Sequence, residues 1–167
     1  MTYLLADLNR MAQVDFTAAL EAVFEDTPAI AAATWHHRPF NSLDHLHGTM
    51  VACVNALSPA EQLTLICAHP DLGSRVAMAD ASVQEQAGVG LNQLSAERYD
   101  QFQQLNQAYR SKFGFPFIIA VKHHTPDTIL STFAIRLQNS ESAERSQALS
   151  EIFQIVRFRL EAWIEES

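Results

Sequence analysis

His69 precedes Pro70, Asp71, Leu72 and Gly73, and the residue before a proline is driven to extended backbone. His69 therefore stands in a loop just past a helix that must end before Pro70. The negative end of that helix favours an imidazolium, so the position suits a proton donor near neutral pH. A capping role for His69, with Asp71 starting a turn, is the structural alternative. Further along, Ser82-Val83-Gln84-Glu85-Gln86 has the Ser-x-x-Glu form of a capping box. Ala87-Gly88-Val89-Gly90 continues a helix poorly. The segment thus reads as a stiff turn whose Glu and Gln could bind a polar ligand, with a short helix start as the alternative. Arg159 is the third candidate. Ile155, Val156 and Trp163 place it near the middle of an apolar helical stripe, whereas Arg157 lies off that stripe. A charge on a buried face needs a partner. A guanidinium fork fits a ligand carboxylate in two places, and an internal salt bridge or a snorkelled side chain is equally open.

Other patterns carry less. Gly88-Val89-Gly90-Leu91-Asn92-Gln93 lacks the third glycine and the strand that a dinucleotide loop requires. His36-His37, His45-Leu46-His47 and His123-His124 make no HExxH, and adjacent histidines on a helix point about 100° apart. They read as surface groups, and no metal is expected. Cys53 and Cys67 form no CxxC and read as reduced core thiols. Asp and Glu number 19 against 11 Lys and Arg, a formal charge of −8 that leaves no basic footprint for nucleic acid and repels anionic lipid. The first residues lack the basic and apolar regions of a signal peptide, and no apolar run is long enough to span a bilayer, so a cytoplasmic setting is expected.

These groups need a scaffold, and its period is helical. With 167 residues, 48% of them hydrophobic, the chain has the size and apolar content of one compact all-α domain of about eight to nine helices with irregular active-site segments. Ser42 or Asn41 can cap a helix carrying Leu43, Leu46, Met50, Val54 and Leu57. Ser58-Pro59-Ala60-Glu61 is a full start signal, with Pro at the first helical position and Glu closing a capping box. Ser95 opens a helix through Phe102, Leu105, Tyr109 and Phe113 that stops at Gly114. Thr125-Pro126 starts another, with Ile129, Leu130, Phe133 and Leu137 on one face, and the last runs from about Glu141 to Glu165. Leu4 to Met11, Phe16 to Phe24 and a helix from Pro28 are shorter candidates. Two stretches do not read as helix. One is His69 to about Leu94. The other is Phe115 to Lys122, continuously apolar and expected to be an extended buried segment.

Together these pieces carry a resemblance. The chain resembles the OHCU decarboxylase family (OHCU is 2-oxo-4-hydroxy-4-carboxy-5-ureidoimidazoline). The residues that carry it are Arg38-Pro39-Phe40, His69-Pro70-Asp71-Leu72 and the run from Ser82 through Glu85-Gln86-Ala87-Gly88-Val89-Gly90-Leu91. Leu105-Asn106, Tyr109 and Lys112-Phe113-Gly114-Phe115-Pro116-Phe117-Ile118-Ile119-Ala120-Val121 follow in family order. The resemblance implies an all-α homodimer that uses no metal or organic cofactor. It implies conversion of OHCU to (S)-allantoin and CO2, the last step from urate to allantoin. It assigns catalysis to His69 and Glu85. It places Pro70, Ser82, Val83, Gln84, Gln86, Phe117, Ile118, Ile119, Ala120, Val121 and Arg159 around the substrate. Gly73 to Ala81 departs from the family in being short and alanine-rich. A substrate that carries its own electron sink asks the protein only to bind, orient and stabilise charge. The competing class is a non-catalytic module binding a ureide or purine metabolite, which would not need His69. A metal-dependent amidohydrolase is a further alternative that metal analysis would reveal.

Overall fold

The structure is a computed structural model that describes residues 2–74 and 80–166. The stretch Gly73 to Ala81, singled out by its alanines, therefore lies largely outside the described residues. Nine α-helices and one two-stranded pairing make up the regular structure among them, together with two short 3-10 turns. The helices are α1 (Leu5–Leu8), α2 (Gln13–Leu20), α3 (Pro28–Trp35), α4 (Leu43–Asn55), α5 (Pro59–Cys67), α6 (Asp80–Gly88), α7 (Ala96–Phe113), α8 (Pro126–Arg136) and α9 (Glu141–Trp163). The strands are β1 (Tyr3–Leu4) and β2 (Ile164–Glu165), parallel, with Tyr3 opposite Ile164. No single helix among the described residues is long and apolar enough to cross a membrane.

Local signals set the starts of α4, α5, α7 and α8 and the end of α7. The Ser42 side chain accepts the His45 N–H. Ser58 and Glu61 close their box in both directions, at 2.8 Å from the Ser58 N–H and 3.3 Å from the Glu61 N–H. The Ser58 hydroxyl, donating to the Glu61 carboxylate at 2.6 Å, and then the Ser58 N–H hold that carboxyl below its usual range. Ser95 caps α7, and Gly114 ends it at φ +77°, a left-handed position that glycine occupies without strain. Thr125 and Thr128 cap α8 reciprocally.

The chain forms two compact units. The first comprises Met1–Leu65 and Phe153–Ser167. In it α3 packs on α2 and α4, and Leu8, Phe16, Leu20, Leu46, Met50, Val156 and Leu160 are fully buried. The Arg38-Pro39-Phe40 motif is a clasp. Arg38 lies 4.0 Å over the Trp35 ring and donates to the carbonyls of Asn9 and Met11, while the Asn9 amide pairs with both backbone groups of Phe40. The second unit, Ile66–Ile152, is built around Tyr109, whose ring meets Phe113, Phe115, Phe117 and Phe133 at centroid distances of 4.5–5.9 Å. Phe117 and Phe133 stack at 3.8 Å.

Four expectations change. Residues 80–88 are helical, so Ser82 lies inside α6 rather than capping it. Gly88 is where that helix ends, not where it would be broken. The buried stripe of α8 is Ile129, Phe133 and Arg136, and Leu137 lies past the last turn. The thiols are free but not core, since Cys53 is half-buried and Cys67 exposed. Phe115 to Ala120 is, as expected, buried and without regular structure, and a 3-10 turn follows at Val121–His123.

Candidate functional site

His69 follows α5 closely, its N–H reaching the Ile66 carbonyl at 3.2 Å, and the residue is 5% exposed. Its loop is clamped from two helices. Asn106 of α7 donates its amide to the Leu72 carbonyl at 2.9 Å, and Arg110, one turn further along α7, meets Asp71 at 2.9 Å. From α6, the Gln86 side-chain carbonyl accepts the Gly73 N–H at 3.0 Å. Gly73 has φ +65°, and a Cβ there would stand 3.2 Å from a Leu94 methyl, so the turn admits glycine alone without strain. The Asp71-Leu72-Gly73 stretch that follows His69-Pro70 is thus held by several partners rather than left to the loop.

The helical state of α6 sorts its candidates. Ser82, Glu85 and Gln86 fall at i, i+3 and i+4 on one face, with Ser82 and Gln86 buried and Glu85 half-buried. Val83 and Gln84 point the other way and are exposed. α6 also packs against the Val121–His123 turn. One helix therefore touches both the His69 loop, through Gln86, and the end of the apolar segment. Phe117, Ile118, Ile119, Ala120 and Val121 are all buried. They form a dry wall in which electrostatic interactions are strengthened.

Sequence reading missed what stands behind that wall. Arg136 lies with its guanidinium carbon 4.3 Å from the Phe117 ring centre and donates to the Ile118 carbonyl at 2.6 Å. It also pairs with Glu144 at 2.9 Å. Glu144, fully buried, accepts from the Tyr109 hydroxyl and from the Asn139 amide as well. Burial alone would raise the Glu144 carboxyl, but the bonds from Arg136, Tyr109 and Asn139, with the Arg136 charge, bring it below its usual value. Burial, then the bond to Glu144, pushes the Tyr109 hydroxyl up, so it stays a donor. The available signal was the i, i+4, i+7 spacing of Ile129, Phe133 and Arg136, which puts a cation on an apolar face.

Arg159 belongs to the first unit, 3% exposed. Its guanidinium donates to the carbonyls of Ala22 and Val23 and pairs with Glu25 at 3.3 Å. Glu25 itself sits at φ +51° and is 3% exposed. This is the internal pairing that competed with a ligand in the sequence. Arg157 meets Asp44 and Glu161 at the surface. A groove of about 710 Å³ on the first unit, lined by Ala33, His37, Asp44, His45 and Cys53 among others, holds none of the candidate residues. Among the described residues no three His, Cys, Asp or Glu side chains converge as a metal site.

Comparison with known proteins gives this arrangement a family. Residues 9–161 match the OHCU decarboxylase family, a span that takes in parts of both units. The chain is 44% identical to 2-oxo-4-hydroxy-4-carboxy-5-ureidoimidazoline decarboxylase of Halalkalicoccus jeotgali, covering 93% of this chain and 88% of that protein. It is 42% identical to the protein of the same name from Haloferax volcanii, covering 93% of each. Among solved structures it is similar to a crystal structure of (S)-allantoin synthase, with a TM-score of 0.79 and 28% identity. That match covers 97% of this chain but 54% of the other, so the present chain spans about half its length. A crystal structure of OHCU decarboxylase in the presence of (S)-allantoin shares the fold at a TM-score of 0.72 and 22% identity, over 86% of this chain and 96% of that one. The chain belongs to the OHCU decarboxylase family.

Proposed function

We propose that this chain decarboxylates OHCU to (S)-allantoin and CO2, without metal or organic cofactor, and that His69 moves the protons. The observation that carries the reading is the clamped, buried His69 on a loop tied to α6, the helix that also meets the dry 117–121 segment. The bond between C4 and its carboxylate breaks and CO2 leaves. The electron pair forms the C4–C5 double bond and displaces the C5–N1 pair onto the ring nitrogen, which takes a proton from solvent. His69 accepts the C4 hydroxyl proton, which makes the carbonyl, and returns a proton to one face of C5, the carbon bearing the ureido group. Delivery from one side yields one enantiomer. Glu85 and Ser82, on the same face of α6, meet the ureido group and hydroxyl, with Pro70 at the edge of the site. Gln86 fixes the His69 loop through Gly73.

Backbone groups of 117–121 receive the developing charge in a water-poor setting. Val83 and Gln84, exposed on the outer face of α6, contribute through the backbone. Arg159, its guanidinium engaged by Glu25, is assigned to the ligand by the family resemblance alone. A homodimer goes with the reading through the family resemblance, and a cytoplasmic setting through two free thiols. The test is consumption of OHCU, freshly generated from urate, by the wild-type protein and by His69→Ala. Wild-type turnover lost in the variant supports the proposal. Binding without any change in OHCU lifetime would replace it with the ureide-binding module.

A further inference from the structure

Buried backbone must find partners for its polar groups, and the segment from Phe115 to Ala120 is buried without belonging to a strand or helix. Two of its peptide groups are met by charged side chains. The Ile118 carbonyl accepts from Arg136 of α8 at 2.6 Å, and the Ala120 N–H donates to Glu151 of α9 at 2.8 Å. Along extended backbone the carbonyl of one residue and the N–H two residues later project to the same edge. Ala120 has extended dihedrals, φ −73° and ψ 102°. The guanidinium and the carboxylate therefore take the donor and acceptor places of a missing neighbouring strand.

Both are themselves held. Glu144 fixes Arg136, and Gln147 donates to the second Glu151 oxygen at 3.0 Å. Phe117, at the other end, is stacked between Arg136 and Phe133. The rotation of the segment about its own axis is thereby set. Its opposite edge carries the N–H and carbonyl of Ile119, a residue 3% exposed, and no hydrogen bond to either is present among the described residues.

We infer that Glu151 and Arg136 are positioning residues for the decarboxylation, holding one edge of the 117–121 segment so that its other edge is presented to the substrate. This rests on the proposed role of that segment at the substrate. Neither side chain touches substrate, and both act through the backbone they grip. Glu151 is the better test, because it is half-buried and its loss leaves the aromatic cluster intact.

The experiment compares wild type, Glu151→Ala and Glu151→Gln in the full chain. Readouts are kcat and KM with fresh OHCU, the enantiomeric excess of allantoin, the thermal midpoint and the exchange rate of the Ala120 amide. Glu151→Ala is expected to lower kcat/KM by about ten- to a hundred-fold, the scale of a misplacement of about 1 Å, and to reduce enantiomeric excess. Its Ala120 amide should exchange faster while the midpoint moves little. Glu151→Gln, which keeps an acceptor for that N–H, should recover most of the kinetics and the stereochemistry. Unchanged kinetics and stereochemistry in Glu151→Ala would overturn the inference. So would equal damage in both variants, which would make the charge and not the hydrogen bond responsible. If wild type leaves OHCU untouched, the functional reading falls. The amide exchange would still decide whether Glu151 holds the segment.

Discussion

Replacing Glu144 by Gln puts a donor where every neighbour already donates. The Tyr109 hydroxyl, the Arg136 Nε–H and the Asn139 amide all point hydrogens at this carboxylate, and only an acceptor without protons satisfies them. The variant also strips the Arg136 guanidinium, 6% exposed, of its counter-charge. Breaking a buried pair from one side costs about 3–5 kcal/mol, because an uncompensated charge stays behind. For a chain of this size that lowers the thermal midpoint by about 6–20 °C. Replacing both partners, as Arg136→Met with Glu144→Leu, should cost less than Glu144→Gln alone.

The pair also predicts a pH dependence. The folded Glu144 carboxyl titrates below its unfolded value, so its stabilisation is full above the ordinary carboxylate range and is lost as pH falls through the lowered folded value. Wild type should therefore lose stability on acidification, and Glu144→Gln should lose less over the same range. Urea unfolding followed by far-ultraviolet circular dichroism, repeated from pH 7 downward, measures both effects. A Glu144→Gln protein within about 0.5 kcal/mol of wild type at neutral pH, the scale of an ordinary surface substitution, would refute the reasoning. An acid slope as steep as that of wild type would refute the linkage.

Other perturbations separate the parts of the site. His69→Ala should lower turnover by about two to four decades while leaving the thermal midpoint near that of wild type, and stopped-flow consumption of OHCU checks this. Gly73→Ala should cost about 1–2 kcal/mol from the left-handed backbone alone, with Leu94 crowding added, as read by urea unfolding. Arg159→Lys loses the planar fork that spans Glu25 and two carbonyls. A lowered midpoint with unchanged KM assigns Arg159 to structure, whereas a raised KM at unchanged midpoint assigns it to the ligand.

What could be read from sequence was local. Ser42, Ser58, Ser95 and Thr125 cap the helices they announce, because a cap and its backbone partners lie within three residues. Gly114 ends α7 for the same reason. α6 escaped because its sequence is a weak helix former and its face is fixed by distant groups, the Gly73 N–H and the Val121–His123 turn. The pairing of Tyr3–Leu4 with Ile164–Glu165 joins the two ends of the chain, which no local pattern announces. At the site, His69 stood out through Pro70, but the clamp from Asn106, Arg110 and Gln86 is tertiary. Arg136 was hidden because Leu137 looked like the next apolar position, although the helix turn places Arg136 on the buried face.

The central claim is that a chain with His69 in a clamped, dry site directs a proton to one face of its product. Circular dichroism of allantoin forming from fresh OHCU tests it most directly. Rapid growth of the (S)-allantoin signal with wild type, absent with His69→Ala, is the predicted result. Slow formation of racemic allantoin, with the same course whether or not the protein is present, would contradict it.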